Sequence, residues 1–479
     1  MQNKVKNLYS DTIVAPATIP GTGAISIVRL SGPESFQIAD AVVQVKDGKI
    51  SDADAYTICY GKVFAHGELL DEVLVSVFRA PHSYTGEDAV EISTHASPFI
   101  VGELVNLLLG AGARMAEPGE YTRRAFLNGK MDLSQAEAVA DVIASNTSAS
   151  HRVAMNQLKG CFSKELSSLR EQLLEMASLL ELELDFSEED VEFAQREQLN
   201  GLVETTLQQV QRLAASFRQG NMIKNGVPVA IIGPANAGKS TLLNALLGDQ
   251  RALVSPIAGT TRDTVEETLN IGGILFRFID TAGIRKASDE VEIMGIERTF
   301  RKLAEAEIVL ALLDISQNEF DLLNNLQEIT QRVNFDSQKL IILLNKADIA
   351  VIDACNKNVI AINNNVSLAD YKYSILSISA KEEKGLEELK SLLLELERDL
   401  IPNADSTFIT NARHLEALQN AASALQDVRT SLLSGIPTDL VAEDLRQALS
   451  AINSILGKDL GLDPELILHT IFSRHCVGK

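Results

Sequence analysis

Apolar and polar positions along this chain of 479 residues follow two periods, and the period changes with position. Residues 1–128 are mixed. Ala24-Ile-Ser-Ile-Val28 and Val73-Leu-Val-Ser-Val-Phe78 read as strands, whereas Phe99 to Leu109 keeps helical spacing, so an α+β domain is expected. No proline occurs from Leu133 to Phe217. There Val139 and Ile143, then Leu166, Leu169, Leu173, Met176 and Leu180, then Val203, Leu207, Val210, Ala214 and Phe217 recur every three or four residues. These are core stripes of a helical bundle. The same spacing returns in Leu415, Leu418, Ala422, Leu425, Val428 and Leu432, and Asp463-Pro464 reads as a further helix start. Between the two helical parts, short apolar runs (Val227–Ile232, Ile274–Ile279, Leu340–Leu344, Ser374–Ser379) have the composition of buried strands. Gly220–Gly226 reads as a linker and Ile401-Pro-Asn403 as a second break. The expected organisation is an α+β domain over 1–128, a discontinuous α-helical bundle built from 129–220 and 403–479, and an α/β domain inserted as 221–402. Insertion is tolerated where chain ends lie close together at a surface.

The strand runs of the inserted segment each end in a polar motif. Val227–Ile232 leads into Gly233-Pro-Ala-Asn-Ala-Gly-Lys-Ser240, then a helical stretch Lys239–Leu247 that stops at Gly248. Strand, glycine loop and helix in that order is a P-loop: backbone N–H groups and the helix N-terminus cradle phosphate, Lys239 adds a cation, and the Ser240 hydroxyl suits magnesium. Ile274–Ile279 ends at Asp280-Thr-Ala-Gly283. There Asp280 would hold magnesium through water and the Gly283 N–H would sense the terminal phosphate. Leu340–Leu344 ends at Asn345-Lys-Ala-Asp348, and Ser374–Ser379 delivers Ser379-Ala-Lys381. A carboxylate at Asp348 accepts from the ring N–H and exocyclic amine of guanine, a donor pair adenine lacks. Upstream, Gly259-Thr-Thr-Arg-Asp263 offers Thr261 as a second magnesium ligand. Ile284 follows Gly283, where small GTPases often carry a water-orienting Gln, so hydrolysis needs another cation, carboxylate or partner.

Charge and cysteine content narrow the remaining choices. Lys and Arg number 43 against 65 Asp and Glu, giving a net charge of −22. That argues against broad electrostatic capture of nucleic acid, so any contact with nucleic acid would be local or shared with a partner. The Arg123-Arg124 pair with Lys130 is a candidate patch. Four cysteines (Cys59, Cys161, Cys355, Cys476) show neither metal spacing nor a disulfide framework. Without a signal peptide or long apolar run, the chain is expected to be cytoplasmic, with no membrane association.

These motifs, with Asp11-Thr-Ile-Val-Ala15, Ser83-Tyr-Thr-Gly-Glu-Asp88, Arg124-Ala-Phe-Leu-Asn-Gly-Lys-Met-Asp-Leu133 and the terminal Phe472-Ser-Arg-His-Cys-Val-Gly-Lys479, resemble the MnmE (TrmE) family of tRNA-modifying GTPases over the whole chain. The resemblance implies a GTP site at Asn236, Ala237, Gly238, Lys239, Ser240, Thr241, Ser255, Pro256, Ile257, Ala258, Gly259, Thr260, Thr261, Asp280, Thr281, Ala282, Gly283, Asn345, Lys346, Asp348, Ser379, Ala380 and Lys381. It implies magnesium at Ser240 and Thr261, and potassium at Asn236, Thr260 and the backbone of Ser255 and Ile257. Potassium there replaces an arginine finger. The family's catalytic glutamate falls on Glu292, and Arg262, Asp263 and Arg285 steady the switches. A tetrahydrofolate one-carbon donor (5-formyl or methylene) is implied at Arg29, Glu91, Lys130 and Lys479. Cys476, near Lys479, is a candidate thiol, although a lone cysteine is more often a small buried hydrophobe. The implied assembly is a homodimer joined by the flavin-dependent partner MnmG (GidA) in a heterotetramer-type complex. It places an aminomethyl-type group on carbon 5 of the wobble uridine of certain tRNAs. Departures from the family pattern are His95-Ala-Ser97 for His-Gly-Gly, Thr22 for Arg, and Val477 for Ile. Two rival readings are a regulatory GTPase of ribosome assembly and a nucleotide-binding scaffold without turnover. The first 128 residues and the tail ending at Lys479 separate the first of these from the modification enzyme.

Overall fold

The computed structural model describes residues 11–185, 195–248, 267–280, 303–349, 359–360, 362, 373–398, 407–434, 436–459, 468, 470–473 and 478. The chain divides into two compact units. One comprises residues 1–144, 154–215 and 412–479, and the other comprises 145–153 and 216–411. The second is thus inserted into the first in sequence.

In the first unit, strands β1 (Ile13–Pro16), β2 (Ser26–Ser31), β3 (Val43–Val45), β4 (Ile58–Ala65), β5 (Glu68–Phe78), β6 (Ala89–Thr94) and β7 (Arg114–Met115) form a sheet ordered β3-β4-β5-β6-β2-β1-β7. All neighbours are antiparallel except β1 and β7. Alternation puts Val28, Leu30, Val73, Val75, Val77, Val90 and Ile92 on one face. Helices α1 (Ser35–Val42) and α2 (Pro98–Gly110) cover it with Phe36, Ile38, Leu104 and Leu108. The opposite face carries Arg29 paired in register with Glu91. This is the expected α+β domain, with strand ends up to five residues from those read in sequence.

Helix α3 (Glu120–Leu127) leads to the helical part: α4 (Leu133–Ala144), α5 (Ser148–Leu158), α6 (Cys161–Asp185) and α7 (Gln195–Ala215). Each stripe residue from Leu166 to Leu180 is at most 1% exposed. The late helices, α12 (Ala412–Leu433) and α13 (Thr438–Leu456), pack against α7 and α6 respectively. The bundle is therefore discontinuous in sequence. Arg413 donates to both carboxylate oxygens of Glu137 at 3.0 Å, and His414 Nε2 lies 2.6 Å from Glu137 Oε2, tying α12 to α4 across the insertion.

Two expectations are overturned here. Gly220–Gly226 is not a linker. Helix α8 spans Phe217–Asn225, with Met222 and Ile223 buried. Gly220 is required by close packing, since a Cβ there would lie 2.1 Å from the Ile409 carbonyl oxygen. Nor do Arg123 and Arg124 form a surface patch, being 9% and 1% exposed. Arg124 is enclosed by acceptors, donating to the Asp11 carbonyl and Oδ1, to Glu87 and to Glu120. A buried guanidinium needs such carboxylates to offset its lost hydration.

The second unit holds a sheet ordered β13-β12-β11-β8-β10-β9, made from β8 (Val227–Ile232), β9 (Glu267–Ile271), β10 (Ile274–Asp280), β11 (Ile308–Asp314), β12 (Lys339–Asn345) and β13 (Tyr373–Ser377). All neighbours are parallel except β9 and β10. Helices α9 (Lys239–Leu247), α10 (Glu319–Thr330) and α11 (Leu386–Leu396) supply apolar side chains to its two faces. Because β8, β10, β11, β12 and β13 run the same way, their carboxyl ends share one edge. Ligands of such sheets bind at that edge.

Candidate functional site

Five strand ends lie along that edge. The loop Gly233–Gly238 leaves β8 and enters α9, and Gly233 passes so close to β11 that a Cβ would stand 2.1 Å from the Leu312 oxygen. Asn236 and Gly238 take left-handed backbone, φ +62° and +99°. Lys239 Nζ donates to the carbonyls of Gly233 and Pro234 at 2.7 and 2.9 Å, so its ammonium lies over the loop. A phosphate in that cradle is a stronger acceptor than either carbonyl.

Asn345 ties this loop to the next two motifs. It is 3% exposed; Nδ2 donates to the Ala237 carbonyl at 2.8 Å and Oδ1 accepts from Ala380 N–H at 3.0 Å. The same contact explains Gly238, where a Cβ would lie 2.4 Å from Asn345 Nδ2. Ser379 Oγ donates to Asp348 Oδ1 at 2.7 Å. That hydroxyl is the main reason the Asp348 carboxyl sits below the ordinary aspartate range, with Lys381 and Lys384 adding to the effect. Paired backbone bonds between Ser379 and Lys384 close the last loop, and Glu382 N–H reaches back to Ser379 Oγ at 3.2 Å. Lys346 Nζ donates to Asp314 Oδ2 at 2.6 Å. Asp280 is the last residue of β10, at the same edge.

The structure thus brings together Asn236, Ala237, Gly238, Lys239, Ser240, Thr241, Asp280, Asn345, Lys346, Asp348, Ser379, Ala380 and Lys381. The expected residues Ser255, Pro256, Ile257, Ala258, Gly259, Thr260, Thr261, Arg262, Asp263, Thr281, Ala282, Gly283, Arg285 and Glu292 lie outside the described residues. Sequence reading missed Asp314. Its signal was there, an apolar run from Ile308 to Leu313 ending in a carboxylate, much as the runs before Asp280 and Asn345 end in polar residues.

A second cluster lies on the other face of the first unit's sheet, opposite the face covered by α1 and α2. Arg29 Nε donates to Glu91 Oε1 at 2.8 Å, and Nη1 donates to the Gly478 carbonyl at 3.2 Å. The guanidinium lies 5.7 and 5.6 Å from the ring centroids of Tyr84 and Tyr121, and the Tyr121 hydroxyl donates to the Arg29 carbonyl at 2.7 Å. Lys130 Nζ donates to the Pro81 carbonyl, beside the loop that bears Tyr84. Arg29, Glu91 and the residue preceding Lys479 are therefore together, although Lys479 and Cys476 themselves lie outside the described residues. Tyr84 and Tyr121 carried no sequence signal toward Arg29, because register and ring packing join them only in the fold.

Comparison with known proteins agrees from end to end. The model described as "GTP-binding protein TrmE N-terminus" matches residues 12–130, and "MnmE helical domain" matches residues 133–476. The "tRNA modification GTPase MnmE" of Bacteroides thetaiotaomicron is 49% identical over 476 residues, covering 98% of this chain and 100% of that one. Proteins of the same description from Cytophaga hutchinsonii (48% identical, 98% of each chain) and Flavobacterium johnsoniae (47%, covering 98% and 100%) match equally broadly. Matched along nearly its whole length by these models and relatives, the chain belongs to the MnmE (TrmE) family of tRNA modification GTPases.

Proposed function

We propose that this chain binds and hydrolyses GTP in the service of tRNA modification, and that Asp348 reads the base. The observation that carries the reading is Asn345, whose one side chain bonds to the P-loop at Ala237 and to the Ser379-Ala380 loop. Phosphate-binding and base-reading segments are thereby held as one site. Asp348→Asn tests it. The variant should lose GTP affinity and gain xanthosine triphosphate affinity, a change in preference on the order of 10²-fold. An unaltered preference for GTP would contradict the role of Asp348.

The finer reading concerns ions and switches. Magnesium would be held by Ser240 and Thr261, and potassium by Asn236, Thr260 and the carbonyls of Ser255 and Ile257. Oxygen donors suit both hard ions. Bound there, the two ions neutralise charge on the phosphates and on the oxygen that leaves. The chain's own residues do the rest. Lys239 and the N-terminus of α9 orient the phosphates, Glu292 orients water, and Arg262 and Asp263 steady the switch segments. Thr241, Pro256, Ala258, Gly259, Thr281, Ala282 and Gly283 complete the contacts.

The Arg29–Glu91 pair supports a tetrahydrofolate site. The guanidinium suits the ligand's carboxylates or ring oxygen, and Glu91 suits ring N–H donors. Lys130 and Lys479 would add cations. With a flavin-dependent partner and a second copy of this chain, the modification made would be an aminomethyl-type group on carbon 5 of the wobble uridine. The division at residues 128, 220 and 402, and a cytoplasmic location, belong to the same proposal. Titration with 5-formyltetrahydrofolate separates this from a regulatory role in ribosome assembly. Binding that weakens when Lys479 is deleted supports the modification enzyme, and no binding supports the rival.

A further inference from the structure

The end of β11 carries a carboxylate to which the nucleotide site gives no task. Asp314 pairs in register with Asn345, and the Ile315 N–H donates to the Asn345 carbonyl at 3.0 Å. Its side chain is oriented from two sides. Oδ1 accepts from the N–H and hydroxyl of Ser316 at 3.0 and 2.6 Å, which turns Oδ2 toward Lys346 Nζ at 2.6 Å. The pair is half-shielded, with Asp314 13% and Lys346 33% exposed at the side chain.

We propose that Asp314 is a positioning residue for the base-reading loop: it fixes Lys346 across the ends of β11 and β12, and so sets guanine-nucleotide affinity without touching the nucleotide. The proposal rests on reading this edge as the guanine site. Three observations carry it.

First, the backbone on both sides of Lys346 is already locked. Asn345 is held by its two side-chain bonds, and Ala347 N–H donates to the Ile378 carbonyl at 3.1 Å. Second, Lys346 itself is left-handed at φ +67°, a conformation that a non-glycine residue keeps only when its surroundings hold it. Third, a lysine stem carries four flexible bonds, and ordering it at the moment of binding would weaken affinity. The ion pair with Asp314 orders it beforehand. Two segments far apart in sequence thus meet at one strand-end bond, and the partner is a carboxylate that Ser316 has already aimed.

The test uses the full chain and fluorescently labelled GDP. Asp314→Asn keeps the size and the Ser316 acceptor but removes the charge. It should raise the Kd for GDP and the KM for GTP about tenfold, the value of one charge-assisted hydrogen bond. At saturating GTP, kcat and the preference for GTP over xanthosine triphosphate should not change. A merely structural role would lower thermal stability without that KM-against-kcat split. In a Lys346→Met background, adding Asp314→Asn should do nothing further, because the carboxylate acts through the lysine. Ser316→Ala, an exposed and milder change, should weaken GDP binding about threefold, and it serves if Asp314→Asn does not fold.

An unchanged Kd in a folded Asp314→Asn variant, or in Ser316→Ala when that variant stands in for it, would overturn the proposal. So would tighter binding, meaning that Asp314 competes with nucleotide for Lys346. Additional loss in the Lys346→Met background would do the same. Wild-type chain that binds GDP no better than ADP is a different outcome, and it would refute the base reading itself.

Discussion

A Cβ at position 238 has nowhere to go. Gly238 combines left-handed backbone with an approach of 2.4 Å to the Asn345 amide nitrogen, so Gly238→Ala both strains the loop and breaks its tie to the base-reading segment. Strain of about 1–3 kcal/mol is expected, and GDP affinity should fall at least tenfold. Equilibrium titration of the variant checks this, and wild-type affinity would show that the loop relaxes freely. Asn236 is tested through the proposed potassium site. Hydrolysis by wild type should be faster in potassium than in sodium, and Asn236→Ala should lose that difference. Equal rates in all four cases would remove potassium from the account. Residue motifs were the most legible layer of the sequence, because a glycine loop or a strand-end carboxylate declares its chemistry by type and spacing. Asp314 carried that same signal and was missed, whereas Tyr84 and Tyr121 were not legible in the same way. Their partners are set by strand register and ring packing, which spacing along the chain does not encode.

At the scale of elements, helix α4 meets α12 through a buried charge. The Glu137 carboxyl is pushed up by burial, but His414 and Arg413 pull it down further, to about 2 from an ordinary 4.5. A carboxyl lowered in the folded state stabilises the fold above the unfolded value. The contribution is lost as pH falls through the folded value. The window is therefore roughly pH 4.5 to 2, and the contribution at neutral pH is about 3 kcal/mol. Melting temperature measured from pH 6 downward should drop more steeply for wild type than for Glu137→Gln, which should already melt lower at pH 7. Parallel curves would show that the cluster is not the source. Helical stripes such as Leu166 to Leu180 were legible because each lies on one continuous face. The helix Phe217–Asn225 was not, since two glycines resemble a linker in sequence and only the neighbouring Ile409 backbone shows why Gly220 is small. The arginine pair failed likewise, because charge alone does not reveal that Asp11, Glu87 and Glu120 surround Arg124.

For the whole molecule, a net charge of −22 sets the terms on which tRNA is met. Diffuse attraction is absent, so affinity for tRNA should come mainly with the flavin-dependent partner. Filter binding should show weak retention by this chain alone and marked gain with the partner, and tight salt-sensitive binding by the chain alone would contradict it. The candidate nucleotide edge lies in one compact unit and the Arg29–Glu91 cluster in the other, so the proposed GTP and tetrahydrofolate sites fall in different units of the chain. The most direct measurement is reconstitution, with wobble nucleosides quantified by mass spectrometry after incubating the purified chain, the flavin partner, tRNA and a tetrahydrofolate donor. The account predicts a carbon-5 aminomethyl-type uridine with GTP in potassium, and none with GDP or in sodium. Equal modification without hydrolysable GTP, or none under any condition with active partner and substrate, would contradict it.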